Sequence, residues 1–377
     1  MIAAAHRGLS PTGWTAAEFD PGEHFASDYA GARAKFIAAA KRNGLHVESH
    51  VHPEARSPSG DPLSIDVAVW GDPAAQHALL ISSGTHGVEG FCGSGCQVAL
   101  LCDDAFVASV SRAEVAIIMV HALNPHGFAH LARTTEDNVD LNRNFGPVHN
   151  DRYRDLHALL IPERWPPTRE NEAQLMAFAT REGFAAMQQA ITSGQTDRAD
   201  GLFFAGTRPA WSQDVLRSVL RQHARPRRRL GWIDLHTGLG PAGHGEKIHG
   251  GPDDAAMFGR ARAWWGADVS SVHDGSSTSA RVSGSLFGAV LDECPAVEPT
   301  AIALEFGTLP FIDVLNALRA RQWLANHPEA PSLLRETILC QIRDAFYVDT
   351  PGWKAMVYAQ ARAAAWQATA ALARHAG

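Results

Sequence analysis

Short apolar runs alternate along the chain with longer segments in which apolar residues recur every three or four positions. Residues 63–71 (LSIDVAVWG), 77–84 (HALLISSG), 115–125 (VAIIMVHALNP), 229–238 (RLGWIDLHTG) and 301–310 (AIALEFGTLP) read as strands, closed by glycine or proline. Between them the period lengthens to that of a helix. Phe36, Ala39 and Ala40 share one face of 28–44, and Gly44 stops that helix. Further helices are predicted over 93–110, 170–192, 213–224 and 253–267, with a long alanine-rich one over about 354–376. Strands alternating with helices predict an α/β protein, a three-layer α/β/α sandwich around a mixed, mostly parallel sheet. No repeat, low-complexity tract or linker interrupts the pattern. Residues 1–377 are therefore expected to form a single domain, with a short N-terminal extension over about 1–25.

Polar residues collect where the predicted strands end, the usual place for ligands in open α/β sheets. The first group is SSGTHGVEG (82–90), with His86 and Glu89 three residues apart among glycines. Zinc takes imidazole nitrogen and carboxylate oxygen, and a catalytic site commonly uses three protein ligands. Gly84, Gly87 and Gly90 would let the backbone turn sharply enough for both side chains to face one ion. Alone, the pair is weak evidence, because such spacing arises often by chance in an ordinary polar turn, so a third ligand is required. His236 is the candidate. Strand alternation sends Ile233 and Leu235 to the core and puts Asp234 and His236 together on the other side.

A third group, RTTEDNVDLNRNF (133–145), follows NPHGF (124–128) and crowds Arg133, Asp140, Asn142 and Arg143 together. It reads either as a charged surface loop or as an anion site, because a guanidinium is a planar fork suited to a carboxylate or oxyanion. Glu305 stands at the end of an apolar strand, where a charge is costly to bury without a partner. Service as a general base beside a metal is a reason to keep it there.

In this order HGVEG, NPxGF…R…NVDLNRNF, DLHTGLG and ALEFG resemble the zinc carboxypeptidase superfamily, which also contains succinylglutamate desuccinylase and aspartoacylase. SSGTHGVEGFCGS, HALNPHGF and EDNVDLNRNF are more similar to an uncharacterised bacterial branch of it, a domain of unknown function. The likeness runs from about Tyr29 to beyond Glu305. It implies a zinc-peptidase-like catalytic domain with His86, Glu89 and His236 as zinc ligands. Asp140 would accept the second imidazole N–H of His86. Glu305 would activate water at the metal and pass its proton to the leaving amine. Arg133 would stabilise the oxyanion, and Asn142 and Arg143 would hold a substrate carboxylate. The implied activity is cleavage of an amide bond next to a free carboxylate, carboxypeptidase-like or on N-acyl amino acids. A small-metabolite deacylase of the desuccinylase and aspartoacylase type is the alternative enzyme, and a non-catalytic zinc-dependent binding module the rival of another class.

Some positions depart from the superfamily. Its carboxypeptidases carry a mobile tyrosine shortly before the catalytic glutamate, and none of Tyr29, Tyr153, Tyr347 and Tyr358 stands there; Arg281 or Ser285 could fill the role. His126 and His130 stand where aromatic residues are expected and raise the idea of a second metal, while His244, His249 and His273 read as pocket-rim or surface histidines.

Composition narrows the partners. With 45% hydrophobic and 19% charged residues the chain can bury a large core, and a net charge of −7 argues against nucleic acid. A small-molecule or peptide substrate carrying a carboxylate remains, and a homo-oligomer is compatible with the sequence. Arg225–Arg229 reads as a solvated loop, or else as a phosphate-binding patch. Five cysteines without a CxxC pair suit reduced thiols, with Cys92 and Cys96 as small packing residues on one helix face. No export signal opens the chain, and no apolar run approaches the ~18 residues of a membrane span. A cytoplasmic protein is therefore expected.

Overall fold

Unbroken runs of valine, isoleucine and leucine build the middle of a seven-stranded sheet. The computed structural model describes residues 19–72 and 74–374, so most of the expected N-terminal extension and the last residues of the expected tail helix lie outside the described residues. The strands are β1 (Val47–Arg56), β2 (Pro62–Trp70), β3 (His77–Ser83), β4 (Val115–His121), β5 (Arg229–Ala242), β6 (Gly245–His249) and β7 (Glu298–Gly307). Their order is β1-β2-β4-β3-β5-β7-β6. The four strands β4, β3, β5 and β7 run parallel, while β1, β2 and β6 are antiparallel to their neighbours. β3 and β4 are buried along their whole length, as parallel strands covered on both faces must be. The mixed, mostly parallel sheet and its two helical layers agree with the pattern of the sequence.

On one face Ile233, Leu235, Ile302 and Leu304 pack against Phe36, Cys96 and Trp265, and against the inner side of the helix Pro351–Ala373. On the other, Leu80, Ile118 and Trp232 meet Leu216 and Ala289, from the helices Trp211–Val219 and Gly288–Glu293. A third cluster joins Val88, just past β3, to Val314, Leu318 and Phe346 of the helices Phe311–Asn326 and Ser332–Phe346. Cys92 and Cys96 are buried free thiols and Trp264 and Trp265 are packed, as expected. Among the described residues no single helix is long and apolar enough to cross a membrane.

Two predicted helices are each two helices. The segment 170–192 breaks at Gly183, whose φ of 91° ends Arg169–Glu182 before Phe184–Thr192 begins. The segment 93–110 breaks at Asp103, between Gly90–Cys102 and Asp104–Ala113. One oxygen of Asp103 accepts from the amides of Ala105 and Phe106 at 3.0 and 3.1 Å, capping the second helix. The other accepts from the Tyr358 hydroxyl at 3.0 Å and from the Arg362 guanidinium, which ties in the C-terminal helix.

Burial works to raise the Asp103 carboxyl, but the Arg362 guanidinium and the capping amides win and hold it below the usual range. A depressed carboxyl stabilises the fold above its unfolded value and loses that contribution as pH falls through the folded one. Asp103→Asn should therefore cost about 1–3 kcal/mol at neutral pH. The gap to the parent should narrow below pH ~4. Denaturant unfolding at pH 7 and in acid measures both; an unchanged midpoint at pH 7 would show that the tie carries no stability.

Candidate metal centre

The C-terminal ends of β3, β5 and β7 lie side by side in the middle of the sheet. The chain leaves β3 for β4 on one side and returns as β5 on the other, which makes their C-terminal ends the switch-point crevice of an open α/β sheet. His86 and Glu89 follow β3, His236 lies within β5 and Glu305 within β7, where His236 and Glu305 are register partners. Asp140 and Arg143 come from the loop after β4, and Asp140 caps the turn Leu141–Arg143 through the amide of Asn142 at 3.0 Å.

The turn from Gly84 to Gly90 uses its glycines in two ways. Gly84 has φ 63°, a left-handed conformation that favours glycine. Gly87 and Gly90 do not need unusual dihedrals. A Cβ on Gly87 would overlap the backbone carbon of Gly127, and one on Gly90 would lie 2.5 Å from the Phe128 ring. Close approach of the NPHGF loop is their reason, which corrects the expectation of a sharp turn at all three. Asn124 organises that loop. Its Oδ1 accepts from the Gly127 amide at 2.8 Å and its Nδ2 donates to the Arg133 carbonyl at 3.2 Å. The same loop accepts from the Gly87 and Val88 amides at the carbonyls of Arg133 and Ala132, 3.2 and 2.9 Å away.

His86, Glu89 and His236 each offer a ligand atom, all within 4.8 Å of one another, and all three residues are buried. His86 Nδ1 lies 2.8 Å from Glu89 Oε1, and His236 Nδ1 lies 3.0 Å from Glu89 Oε2. Each imidazole turns its other nitrogen to a buried aspartate. His86 Nε2 is 3.2 Å from Asp140 Oδ1, and His236 Nε2 is 2.5 Å from Asp234 Oδ2. Asp234 in turn accepts from the Ser82 and Thr85 hydroxyls at 2.6 and 2.9 Å, and the Trp232 indole donates to Ser82 Oγ at 2.8 Å. Two imidazoles and a carboxylate, with a carboxylate behind each imidazole, form a donor set that suits zinc. Its chemistry fits a divalent cation. Asp234 stands two residues before His236, but the network behind it joins residues about 150 positions apart, a relation that no local motif records.

The charged groups of the cluster act on one another. Burial works to raise Glu89, but His86 and His236 hold it well below the carboxylate norm. Burial works to lower His236, yet Asp234 and Glu89 hold it well above the usual imidazole range. Glu305 is pushed up by burial and by the charge of Glu89; its Oε1 accepts from the Leu239 amide at 3.0 Å. Burial also works to raise Asp140, and the Arg133 guanidinium overrides it.

Arg133 is already engaged. Its Nε donates to Asp140 Oδ2 at 2.9 Å, its Nη1 to Glu89 Oε1 at 3.2 Å, and its Nη2 lies 2.7 Å from His86 Nε2.

Arg143 is different. It is buried, and each of its three side-chain nitrogens donates to a carbonyl, of Thr192 or Asn142, at 2.6–2.9 Å. It forms no salt bridge among the described residues, and burial pulls its guanidinium down to about 10. Asn142 presents Oδ1 to the Leu286 amide at 3.0 Å.

A cavity of about 410 Å³ is lined by the three donor residues together with Glu305, Arg133, Asn142 and Arg143. Asp140 is fully buried behind it. Ser285, His249 and His273 also line the cavity, whereas Arg281 and all four tyrosines do not. His126 and His130 stack at 4.3 Å but join no group of three donors among the described residues. In the basic stretch, Arg227 donates to the Ala75 carbonyl at 2.5 Å and Arg229 pairs with Glu298 at 2.8 Å.

Fold and site together define a three-layer α/β/α protein with a buried His–Glu–His donor cluster at the ends of its parallel strands. The chain matches the family described as "Protein of unknown function (DUF2817)" over residues 25–360, and it belongs to that family. No curated protein matches it. Among solved structures it is similar to the carboxypeptidase A of Helicoverpa armigera (15% identity, 84% of this chain and 73% of that one, TM-score 0.47). It is also similar to a metallo-carboxypeptidase of Burkholderia cenocepacia (13%, 90% and 68%, TM-score 0.43). A third similarity is to bovine thrombin-activatable fibrinolysis inhibitor (11%, 86% and 97%, TM-score 0.45).

Proposed function

We infer that the protein is a zinc-dependent hydrolase of amide bonds that stand next to a free carboxylate. The observation that carries the reading is one cavity in which a His–Glu–His donor set, a buried carboxylate and a buried guanidinium with no salt bridge among the described residues converge. An unpaired buried cation is costly. A substrate carboxylate at Arg143 relieves that cost and fixes which bond meets the metal cluster.

His86, Glu89 and His236 would hold the ion. When bound, zinc supplies Lewis acidity, polarising a carbonyl and acidifying water. With the ion held, His86 Nε2 would donate to Asp140, which orients the ring. Arg133 Nη2 would then be free to donate to the oxygen of the scissile carbonyl. Glu305 takes the proton of the attacking water as the oxygen–carbon bond forms. It returns that proton to the amine nitrogen as the carbon–nitrogen bond breaks.

The test is metal content followed by a panel. Metal-loaded protein should hydrolyse N-acyl amino acids or blocked C-terminal dipeptides, and should cleave the same compounds amidated at the carboxylate about 100-fold more slowly. Metal-loaded protein that cleaves no free-carboxylate amide, or cleaves the amidated partners equally well, would overturn the reading.

A further inference from the structure

The cavity is lined by one polar group of residues, here called the waist, and by two apolar groups from different parts of the fold, here called lobes. One lobe is walled by Ile248, Val272, Phe287, Leu291 and Ala303. It adjoins the carboxylate-binding side, because Leu286 donates to Asn142 and the amide of Phe145 donates to the Gly284 carbonyl at 3.0 Å. The other lobe lies beyond Glu305, reached through residues 307–310. It is walled by Leu239, Phe311, Val314, Leu315, Leu318 and Phe346. Positions 311, 314, 315 and 318 form one apolar stripe of the helix Phe311–Asn326. Phe346 packs against Gly238, two residues past His236, so this lobe begins at the metal cluster itself.

With the substrate carboxylate at Arg143, the amino acid carrying it occupies the first lobe and the acyl half of the amide must enter the second. The second lobe contains no charged wall residue; the acids lining the whole cavity are Glu89 and Glu305, and the guanidiniums are Arg133 and Arg143, all at the waist. A second carboxylate on the acyl group would meet no cation there. The ammonium of a free dipeptide, one carbon from the scissile carbonyl, would sit beside Arg133 and a metal cation, with both acids already committed.

We propose that the substrate is an amino acid capped on nitrogen by an apolar acyl group several carbons long, seated on the helix Phe311–Asn326. This rests on the reading of the same site as an amide hydrolase.

The test is a chain-length series, acetyl to decanoyl, of N-acyl-phenylalanine, with leucyl-phenylalanine as the free-amine comparison. Calorimetric titration into zinc-loaded Glu305→Gln reads binding without turnover. Affinity should rise by up to about fourfold per added methylene until the lobe is full, and leucyl-phenylalanine should bind at least tenfold more weakly than the hexanoyl compound. Phe311 is only partly buried, meeting Phe184 edge-to-face at 5.4 Å, so Phe311→Ser should fold and flatten the series. Leu291→Ser, in the other lobe, should leave the slope intact. An affinity independent of chain length, a dipeptide bound as tightly as the acyl compounds, or equal flattening by both variants overturns the proposal. Chain-length-dependent binding without any hydrolysis by the wild type upholds the acyl lobe and overturns the hydrolase reading instead.

Discussion

Glu305→Gln should keep its metal and lose about 10²–10⁴-fold in hydrolysis, the usual contribution of a positioned acid–base group. The amide is nearly isosteric with the carboxylate, and its oxygen can still accept from the Leu239 amide, so the strand end should keep its shape. What it cannot do is take a proton from water. The substitution also removes a carboxyl that burial and the charge of Glu89 push up, so the folded protein should be no less stable. Steady-state rates on the best substrate of the panel, with zinc measured on the same samples, check the result. Activity equal to wild type would remove Glu305 from the mechanism.

Loss of the metal is the second large effect. His236→Ala deletes one donor of three and leaves Asp234 buried with only the Ser82 and Thr85 hydroxyls facing it. Zinc content after dialysis should fall far below one per chain, and hydrolysis with it. Asp234→Asn keeps the ligand but weakens the group that orients it, so affinity should fall about 10–100-fold. The pair grades the site: direct ligand first, orienting carboxylate second. Chelator treatment should lower the melting temperature of the wild type and leave His236→Ala nearly unchanged, because a bound ion stabilises only a fold that binds it. Full zinc in His236→Ala would sink the ligand set.

The sequence displayed its strands and donors well because those are local signals. β3, β4 and β7 carry continuous apolar runs; His86 and Glu89 stand just past the end of β3 and Glu305 near the end of β7, while His236 lies within β5. The edges were harder. VESHVHPEAR in β1 is mostly polar and carries a proline, and GEKIH in β6 is short and charged, as edge strands are. Helical periodicity also ran straight through Asp103 and Gly183, because the pattern of apolar residues continues where the backbone turns. At the site, residue types were readable but their partners were not. Arg143 depends on a carbonyl 49 residues away, and the engagement of Arg133 with His86 is visible only in three dimensions.

Gly87 packs so closely against the backbone of Gly127 that even a single Cβ would not fit between them. Two loops meet there backbone to backbone, with no side chain between them that substitution could trim or enlarge. The floor that carries His86 and Glu89 is thus fixed in position, like the rigid frame of a tool with exchangeable jaws. A change in what the cavity admits has to come from its walls, above all from the helix after β7 and the segment before it. Retargeting by design should begin there and leave the glycines alone.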